Sequence, residues 1–446
     1  MREGFKEKLF AAAKEKGFTD YELYYTGGSD FSVKVFEGEI REYKHSGQKG
    51  LSFRGTWNGK MGYAFTERIA EEIIPFLIEN AAQNAEIIED PDGEDLYKGA
   101  EEYPTVKTYD ESSAAVTAED KIAKAFSMEK AALGYNPQVE ALDYCQLGTG
   151  EKERYIANSL GLTVSDRTNL AYAYMFPRVR GTDGQVKTNG EIWVGKGFSG
   201  FDPEEFGVIA SKKALSYLGA KSVPTGSYRI LFNGNAMSSL LRAFSGVFNA
   251  DNVQKGFSLL KGKVGEQIGS DLLTIRDDPL LDNLPGSAGF DSEGIPGKNK
   301  VIVEKGILKT FLHNRKTAKK DGAVPTGNGF KPSFRASVGI SPTNLYILPS
   351  DASQDALLML MGKGLLISDL EGLHSGANPV SGDFSVSAEG HAVENGRTTH
   401  AVEQITIAGN FFTVLQNIRA IGNDIAFKGS ISSPSVLVKE LSVAGN

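Results

Sequence analysis

Residues 364–410 read GLLISDLEGLHSGANPVSGDFSVSAEGHAVENGRTTHAVEQITIAGN. Leu365-Leu366-Ile367 is a short apolar run of the kind a fully buried strand shows. A Gly-rich loop follows, from 372 to 382. Phe384, Val386 and Ala388 then alternate with Ser385, Ser387 and Glu389, the period-2 pattern of a half-buried strand. Asn395-Gly396 predicts a type I′ hairpin turn, and the chain returns through Val402, Ile405 and Ile407. A two-residue loop pairs Glu394 with Arg397, and counting back sets His391 opposite His400.

This stretch carries three of the five histidines in the chain. Side chains directly opposite on one sheet face sit about 5 Å apart, so the His391–His400 pair raises the question of a metal. Two histidines make half a site, since zinc takes three or four protein ligands. Glu389 and His374 would complete it only through an assumed loop geometry. The ligand count favours ordinary strand positions.

The chain has 446 residues, enough for two or three domains. Hydrophobic residues make up 40 % and glycine numbers 51, which suits a β-rich protein with many tight turns. A formal charge of −8 disfavours direct nucleic-acid binding, which needs a basic surface. The densest basic group, Lys316, Lys319 and Lys320, reads as a solvated helix face. The lone cysteine, Cys145, permits no internal disulfide and points to a reducing, cytoplasmic compartment. It lies in an alternating run with Val139, Ala141 and Asp143, as a structural thiol would. The first 18 residues form an amphipathic helix without the apolar core of a signal peptide. No stretch approaches 18 apolar residues, so no membrane span is expected.

The expected fold class is α+β: an N-terminal sheet-and-helix half over 1–220 and a β-rich half over 221–446. The first helix runs 5–16 and ends at Gly17. Strands are expected at 21–25, 31–36, 40–45, 50–56 and 61–65, with turns at Gly27-Gly28, Glu37-Gly38 and Asn58-Gly59. Thr66 would cap a helix to about 85. The polar stretch 86–113, with Pro91, Gly93, Gly99 and Pro104, reads as a connection. The pattern then recurs. Thr117 caps a helix to about 133, strands return at 139–146, 153–158, 162–166, 170–180 and 190–198, and a helix spans 203–218. Gly50-Leu51-Ser52-Phe53 matches Gly161-Leu162-Thr163-Val164, and Gly62-Tyr63-Ala64-Phe65 matches Ala171-Tyr172-Ala173-Tyr174. These pairs suggest an internal duplication of 1–113 and 114–220, with coincidence as the alternative. Beyond a linker at 221–226, a strand at 228–232 leads into a helix from Ala236, with Met237, Leu240, Leu241, Phe244 and Phe248 at helical spacing. Further strands are expected at 271–275, 300–304, 308–313, 344–348 and 435–442, and helices at 352–361 and 411–420.

HExxH, CxxC, Walker and GxSxG patterns are absent. Asp277-Asp278 and Asp291-Ser292-Glu293 offer paired carboxylates, which share protons or hold cations, and which also shape turns. Thr326-Gly327-Asn328-Gly329 could wrap backbone N–H groups around an anion, although a plain turn is the simpler reading.

Six runs in order resemble the PmbA/TldD family: NVQKG at 252–256, TIRDDP at 274–279, FDSEGIP at 290–296, TGNGF at 326–330, GLHSGANPVSGDFS at 372–385 and IGND at 421–424. They cover nearly all of the second half; the first half fits by layout. Within the family the chain resembles the PmbA (TldE) branch. The resemblance implies relatives of the TldD branch that are zinc peptidases, with an HExxxH motif on the helix before the NVQKG-like run. In this chain Arg242 and Val247 stand at the positions of the two His ligands, and Ala243 at that of the Glu base. Arginine offers no lone pair and stays protonated, valine has no ligand atom, and alanine moves no proton. That branch also uses a C-terminal Cys, and no Cys follows residue 145.

The expectation is therefore a subunit with no catalytic or metal-binding residue and no cofactor of its own. It would bind substrate or regulate within a TldD/TldE-type complex acting on unfolded proteins or peptides. Its partner would be a TldD-like zinc peptidase, with a homodimer formed in that partner's absence. His374, Asn378 and Asp383 are candidate peptide or partner contacts. Two rivals remain: a peptidase built from His374, Asp383, His391 or His400, and a DNA gyrase modulator that does not itself bind DNA.

Overall fold

The computed structural model describes residues 4–89 and 95–446; Pro91 and Gly93 of the expected connection lie outside them. Helix α1 (Phe5–Lys16) buries Phe5, Leu9 and Ala13, and Gly17 closes it in the left-handed region. Strands β1 (Tyr21–Phe36), β2 (Glu39–Trp57) and β3 (Lys60–Thr66) follow, then helix α2 (Ile74–Ile87). The order repeats with α3 (Ala118–Tyr135), β4 (Val139–Asn158), β5 (Thr163–Arg180), β6 (Val186–Thr188), β7 (Glu191–Gly195) and α4 (Pro203–Leu215). These strands make one antiparallel sheet in the order β3-β2-β1-β4-β5-β6, with β7 also on β5. Its middle is the β1–β4 pairing, with one helix-bearing unit on either side.

The strands are longer than the sequence pattern predicts. Gly27-Gly28 is not a turn; β1 runs straight through it, paired with Lys49 and Gln48 on one side and with Glu153 and Lys152 on the other. A side chain at Gly28 would come within 2.4 Å of the Glu151 carbonyl oxygen, so glycine there permits close approach of backbones. Glu37-Gly38 and Asn58-Gly59 are turns, with all four residues at positive φ. Thr66 does not cap a helix: its Oγ1 accepts from the Arg68 N–H at 3.0 Å, and α2 begins at Ile74 with Pro75 in its first turn. Thr117 does cap α3, in a reciprocal capping box with Asp120. Of the two sequence matches, Gly50–Phe53 lies within β2 and Gly161–Val164 leads into β5, each the second strand of its unit. The pair at 62–65 and 171–174 falls on a third strand and a second strand.

The second half opens with β8 (Gly226–Phe232) and α5 (Gly234–Phe244), then a 3-10 turn (Ser245–Phe248) and α6 (Ala250–Gln254). Short strands β9 (Ile275–Asp277), β10 (Lys300–Glu304) and β11 (Ile307–Leu308) precede α7 (Arg315–Asp321). Strands β12 (Gly329–Phe330), β13 (Gly339–Ile340) and β14 (Leu345–Ile347) lead to α8 (Gln354–Met361), β15 (Gly364–Glu371) and α9 (Leu373–Gly376). The chain ends with β16 (Asp383–Glu394), β17 (Arg397–Asn410), α10 (Phe411–Gln416), β18 (Ile418–Ile421), β19 (Ile431–Ser432) and β20 (Val436–Ala444). The main sheet is ordered β17-β16-β15-β8-β20-β18, and it curls until β17 also pairs with β20. A large apolar core fills this half, with Phe244 of α5 stacked on Phe411 at 4.7 Å. The molecule is α+β, with a sheet-and-helix first half and a β-rich second half.

Asn395-Gly396 forms the hairpin turn, and Glu394 pairs with Arg397. His391, however, pairs with Ala401 and not with His400. A β-bulge between His391 and Val393 inserts one extra residue on β17 and displaces everything beyond it. No helix among the described residues is long and apolar enough to cross a membrane.

Candidate functional site

Helix α5 positions the residues that the motif reading singled out. Asn233 caps it through its side chain, which accepts from the Ala236 N–H. Met237, Leu240, Leu241 and Phe244 form its buried stripe. Ser238 and Arg242, four residues apart, share the opposite face and border a cavity of about 660 Å³. Ala243 is half-buried against the core. Val247 lies beyond the helix, in the 3-10 turn, and is fully buried. The three positions thus face the cavity, the core margin and the core interior in turn. Their side chains supply no metal donor, so they do not fit the zinc ion that a HExxxH helix would hold.

The cavity is walled by both halves. Lys213 and Tyr217 come from α4 and its C-terminal extension, Glu191 from β7, Asp369 and Glu371 from β15, and Glu389 and His391 from β16. Lys213 Nζ lies 3.5 Å from Asp369 Oδ2, and Asn235 Nδ2 donates to Asp369 Oδ1 at 2.5 Å. Asn189 Nδ2 donates to Glu389 Oε2 at 3.0 Å. Burial pushes the Asp369 carboxyl above its usual range despite Lys213. Burial, and then the neighbouring Glu371 and Asp369, push Glu389 up as well. Burial also raises Glu191, but Lys428 at 2.5 Å more than offsets it, and that carboxyl ends below its ordinary value. His391 is lowered by burial, so its neutral form is favoured.

The other predicted site residues do not converge here. His374 is exposed on α9. Asn378 and Asp383 shape the exposed loop after it: the Asn378 Oδ1 accepts from the Val380 N–H at 3.0 Å, and the Asp383 Oδ1 accepts from Asn410 Nδ2 at 2.9 Å. His400 is exposed on β17. No three His, Cys, Asp or Glu side chains among the described residues are grouped so as to hold a metal ion. Cys145 is buried, and burial raises its thiol pKa, as expected of a structural residue.

The paired carboxylates and the glycine loop belong to one buried network elsewhere. Asp291 accepts from the backbone N–H groups of Glu293, Ile295 and Gly329 at 2.9–3.0 Å. From the 326–329 loop only the Gly329 backbone N–H reaches this carboxylate; the other two donors belong to the turn that Asp291 itself begins, so the loop does not by itself wrap an anion. Asn328 Nδ2 donates to Asp277 Oδ2 at 2.8 Å, and Lys300 Nζ lies 3.0 Å from the same oxygen. Ser292 contacts Tyr24 at 3.2 Å and Arg154 at 3.3 Å, and Arg154 also reaches the Phe290 carbonyl at 2.8 Å. These bonds fasten the second half to the first sheet.

Glu191, Tyr217, Asp369 and Glu371 were not singled out from the sequence. The one available signal was Asp369 and Glu371 alternating at the end of an otherwise apolar strand.

Three family models match in series. PmbA/TldA metallopeptidase domain 1 covers residues 21–85, the central domain 111–218 and the C-terminal domain 225–445. The metalloprotease PmbA homolog of Haemophilus influenzae is 26 % identical over 100 % of this chain and 96 % of its own length. A Thermotoga maritima structure named as a modulator of a DNA gyrase is 34 % identical, with a TM-score of 0.92 over 99 % of this chain and 100 % of that one. TldE from Thermococcus kodakarensis, at 22 % identity and a TM-score of 0.90, covers 99 % of this chain and 100 % of its own and shares the fold. With matches over three successive domains, the chain belongs to the PmbA/TldA metallopeptidase family, the PmbA/TldD family to which its motifs point.

Proposed function

We propose that this chain is a non-catalytic subunit that binds substrate or regulates within a TldD/TldE-type zinc peptidase complex acting on peptides or unfolded proteins. The observation that carries the reading is the identity of three residues at and just beyond the end of α5. Arg242, Ala243 and Val247 stand where the family's zinc peptidases have two His ligands and a Glu base, and Val247 is sealed in the core. Without those donors, water activation by zinc has no place on this helix. Strand β2 supports a role through contact. Its residues 39–50 pair with β1 alone among the described residues, because β3 covers only Leu51–Trp57. A sheet edge of this length offers unpaired backbone groups to an extended peptide or to another chain.

A mixing experiment tests this. The chain alone should not cleave peptides. With a TldD-like partner it should form a complex burying more than about 2,000 Å² in total, as lasting assemblies do, detectable by analytical ultracentrifugation, and it should enhance the partner's hydrolysis. The partner's motif Glu is then changed to Gln. Hydrolysis surviving that change would assign the chemistry to this chain and end the proposal.

A further inference from the structure

Asp369 on β15 and Glu389 on β16 are direct partners in the register. Like charges placed opposite one another destabilise a sheet. Glu371, two residues along β15, adds a third carboxylate to the same face. Each raises the Glu389 pKa, after burial itself. Lys213 approaches Asp369, and Asn189 donates to Glu389, but no cation among the described residues is paired with Glu371 or Glu389. The pleat alone gives no reason for this arrangement, since serine or threonine would serve both strands without repulsion.

A second observation points into the same space. Tyr217 lines this cavity and is only 3 % exposed, yet its hydroxyl makes no well-formed hydrogen bond, although the Ser368 hydroxyl is near enough to act on it. A buried hydroxyl without a partner is unfavourable unless something else supplies one. Its ring lies beside His391, with centroids 5.5 Å apart. The carboxylates are not arranged as ligands for a metal ion. Arg242, Lys213 and Lys428 also line the cavity, but Lys213 is taken up by Asp369 and Lys428 by Glu191. The remaining carboxylate oxygens and an unsatisfied phenol oxygen suit a group carrying several N–H donors on one positive charge, an ammonium or a guanidinium. A cavity of about 660 Å³ has room for such a side chain with its flanking backbone.

We propose that this cavity binds the cationic side chain of a lysine or arginine in a peptide. Asp369, Glu371 and Glu389 accept its N–H groups, and the Tyr217 hydroxyl closes the ring of acceptors. The proposal deepens the peptide-binding reading above and rests on it for the ligand's being a peptide. Its test uses this chain alone, so the absence of a catalytic partner and the failure of the pocket give different results.

The test is fluorescence anisotropy with labelled, N-acetylated pentapeptides carrying lysine, arginine, norleucine or glutamate at the centre of an alanine background. The lysine and arginine peptides should bind at least about tenfold more tightly than the norleucine peptide, the gain expected of a charge-assisted hydrogen bond in a partly buried site. The preference should vanish in the Glu371→Gln, Glu389→Gln double variant and weaken in Tyr217→Phe, with circular dichroism confirming the fold. If a variant fails to fold, the comparison of lysine with norleucine on the native chain decides alone. Equal binding of the two peptides, or no binding of the lysine peptide at millimolar concentration, overturns the proposal. An unacetylated norleucine peptide is added as a control, and binding confined to it overturns the proposal as well, since the chain terminus would then be the ligand.

Discussion

At the scale of single residues, the end of α5 explains why restoring a zinc motif by substitution is harder than the sequence suggests. Arg242 is exposed at the cavity, whereas Val247 is enclosed in the core beside Phe248 and Phe244. A triple change Arg242→His, Ala243→Glu, Val247→His places an imidazole at a fully buried position of the apolar core. Burying a polar ring there without a partner, in a larger volume, costs on the order of 2–4 kcal/mol. The variant should unfold at lower urea than the native chain. It should also carry less than stoichiometric zinc by elemental analysis, since two imidazoles are too few and no Cys follows residue 145. A stable variant with one tightly held zinc would contradict both parts of this expectation.

Elements were legible wherever one local rule decided them. The apolar stripe of α5, the capping box of α3 and the Asn395-Gly396 turn each depend on residues within a few positions, and each stands where the sequence places it. Long strands were not legible, because β1 and β4 pass through Gly27-Gly28 and Gly148-Thr149-Gly150, where glycine marks crowding between strands rather than a turn. The bulge that separates His391 from His400 is set by how β15, β16 and β17 stack, which no local pattern records. The cavity is the extreme case: its walls come from α4, β7, α5, β15 and β16, far apart in sequence, so Arg242 was named in advance only as a motif position, and Glu389 and His391 only as part of a metal pair. Gly390 shows the same closeness. A Cβ there would sit 1.8 Å from the Leu366 carbonyl oxygen, across the β15–β16 ladder. Gly390→Ala must therefore push the strands apart, at about 1–3 kcal/mol or more. Faster amide hydrogen exchange along β15 and β16 than along β1 and β4 would locate the damage. Uniform loss of protection across the molecule would point to some other origin.

For the whole molecule, the buried network between the halves should set how stability responds to pH. Asp291 is pushed up to about 6 by burial, which its three backbone N–H donors and Arg154 reduce without cancelling, so it is a carboxylate throughout the interval above 7. Glu293 accepts one backbone N–H, from Arg315, and burial together with the charge of Asp291 pushes it up to about 8. Arg54 and Arg315 face it and reduce the effect without cancelling it. The folded state thus keeps a proton that the unfolded chain has already lost above its ordinary value of 4.5. Where the native state binds more protons, stability falls as pH rises. The stabilisation is complete below the unfolded value and is lost through about 8, by an amount on the order of 2–4 kcal/mol. His313 and His391, both lowered by burial, act with the opposite sign, but only below the ordinary imidazole range. Lys196, lowered by burial to about 8, also acts with the opposite sign at the top of the interval from about 7 to 8, so it is the comparison with a Glu293 variant that isolates the carboxyl. Thermal unfolding of the native chain should shift downward across that interval, and Glu293→Gln, which keeps the acceptor for the Arg315 N–H without an ionisable proton, should flatten the profile and raise the midpoint at the alkaline end. An unchanged slope in that variant would show that Glu293 is already ionised in the fold and that the two halves are held by a fully charged seam.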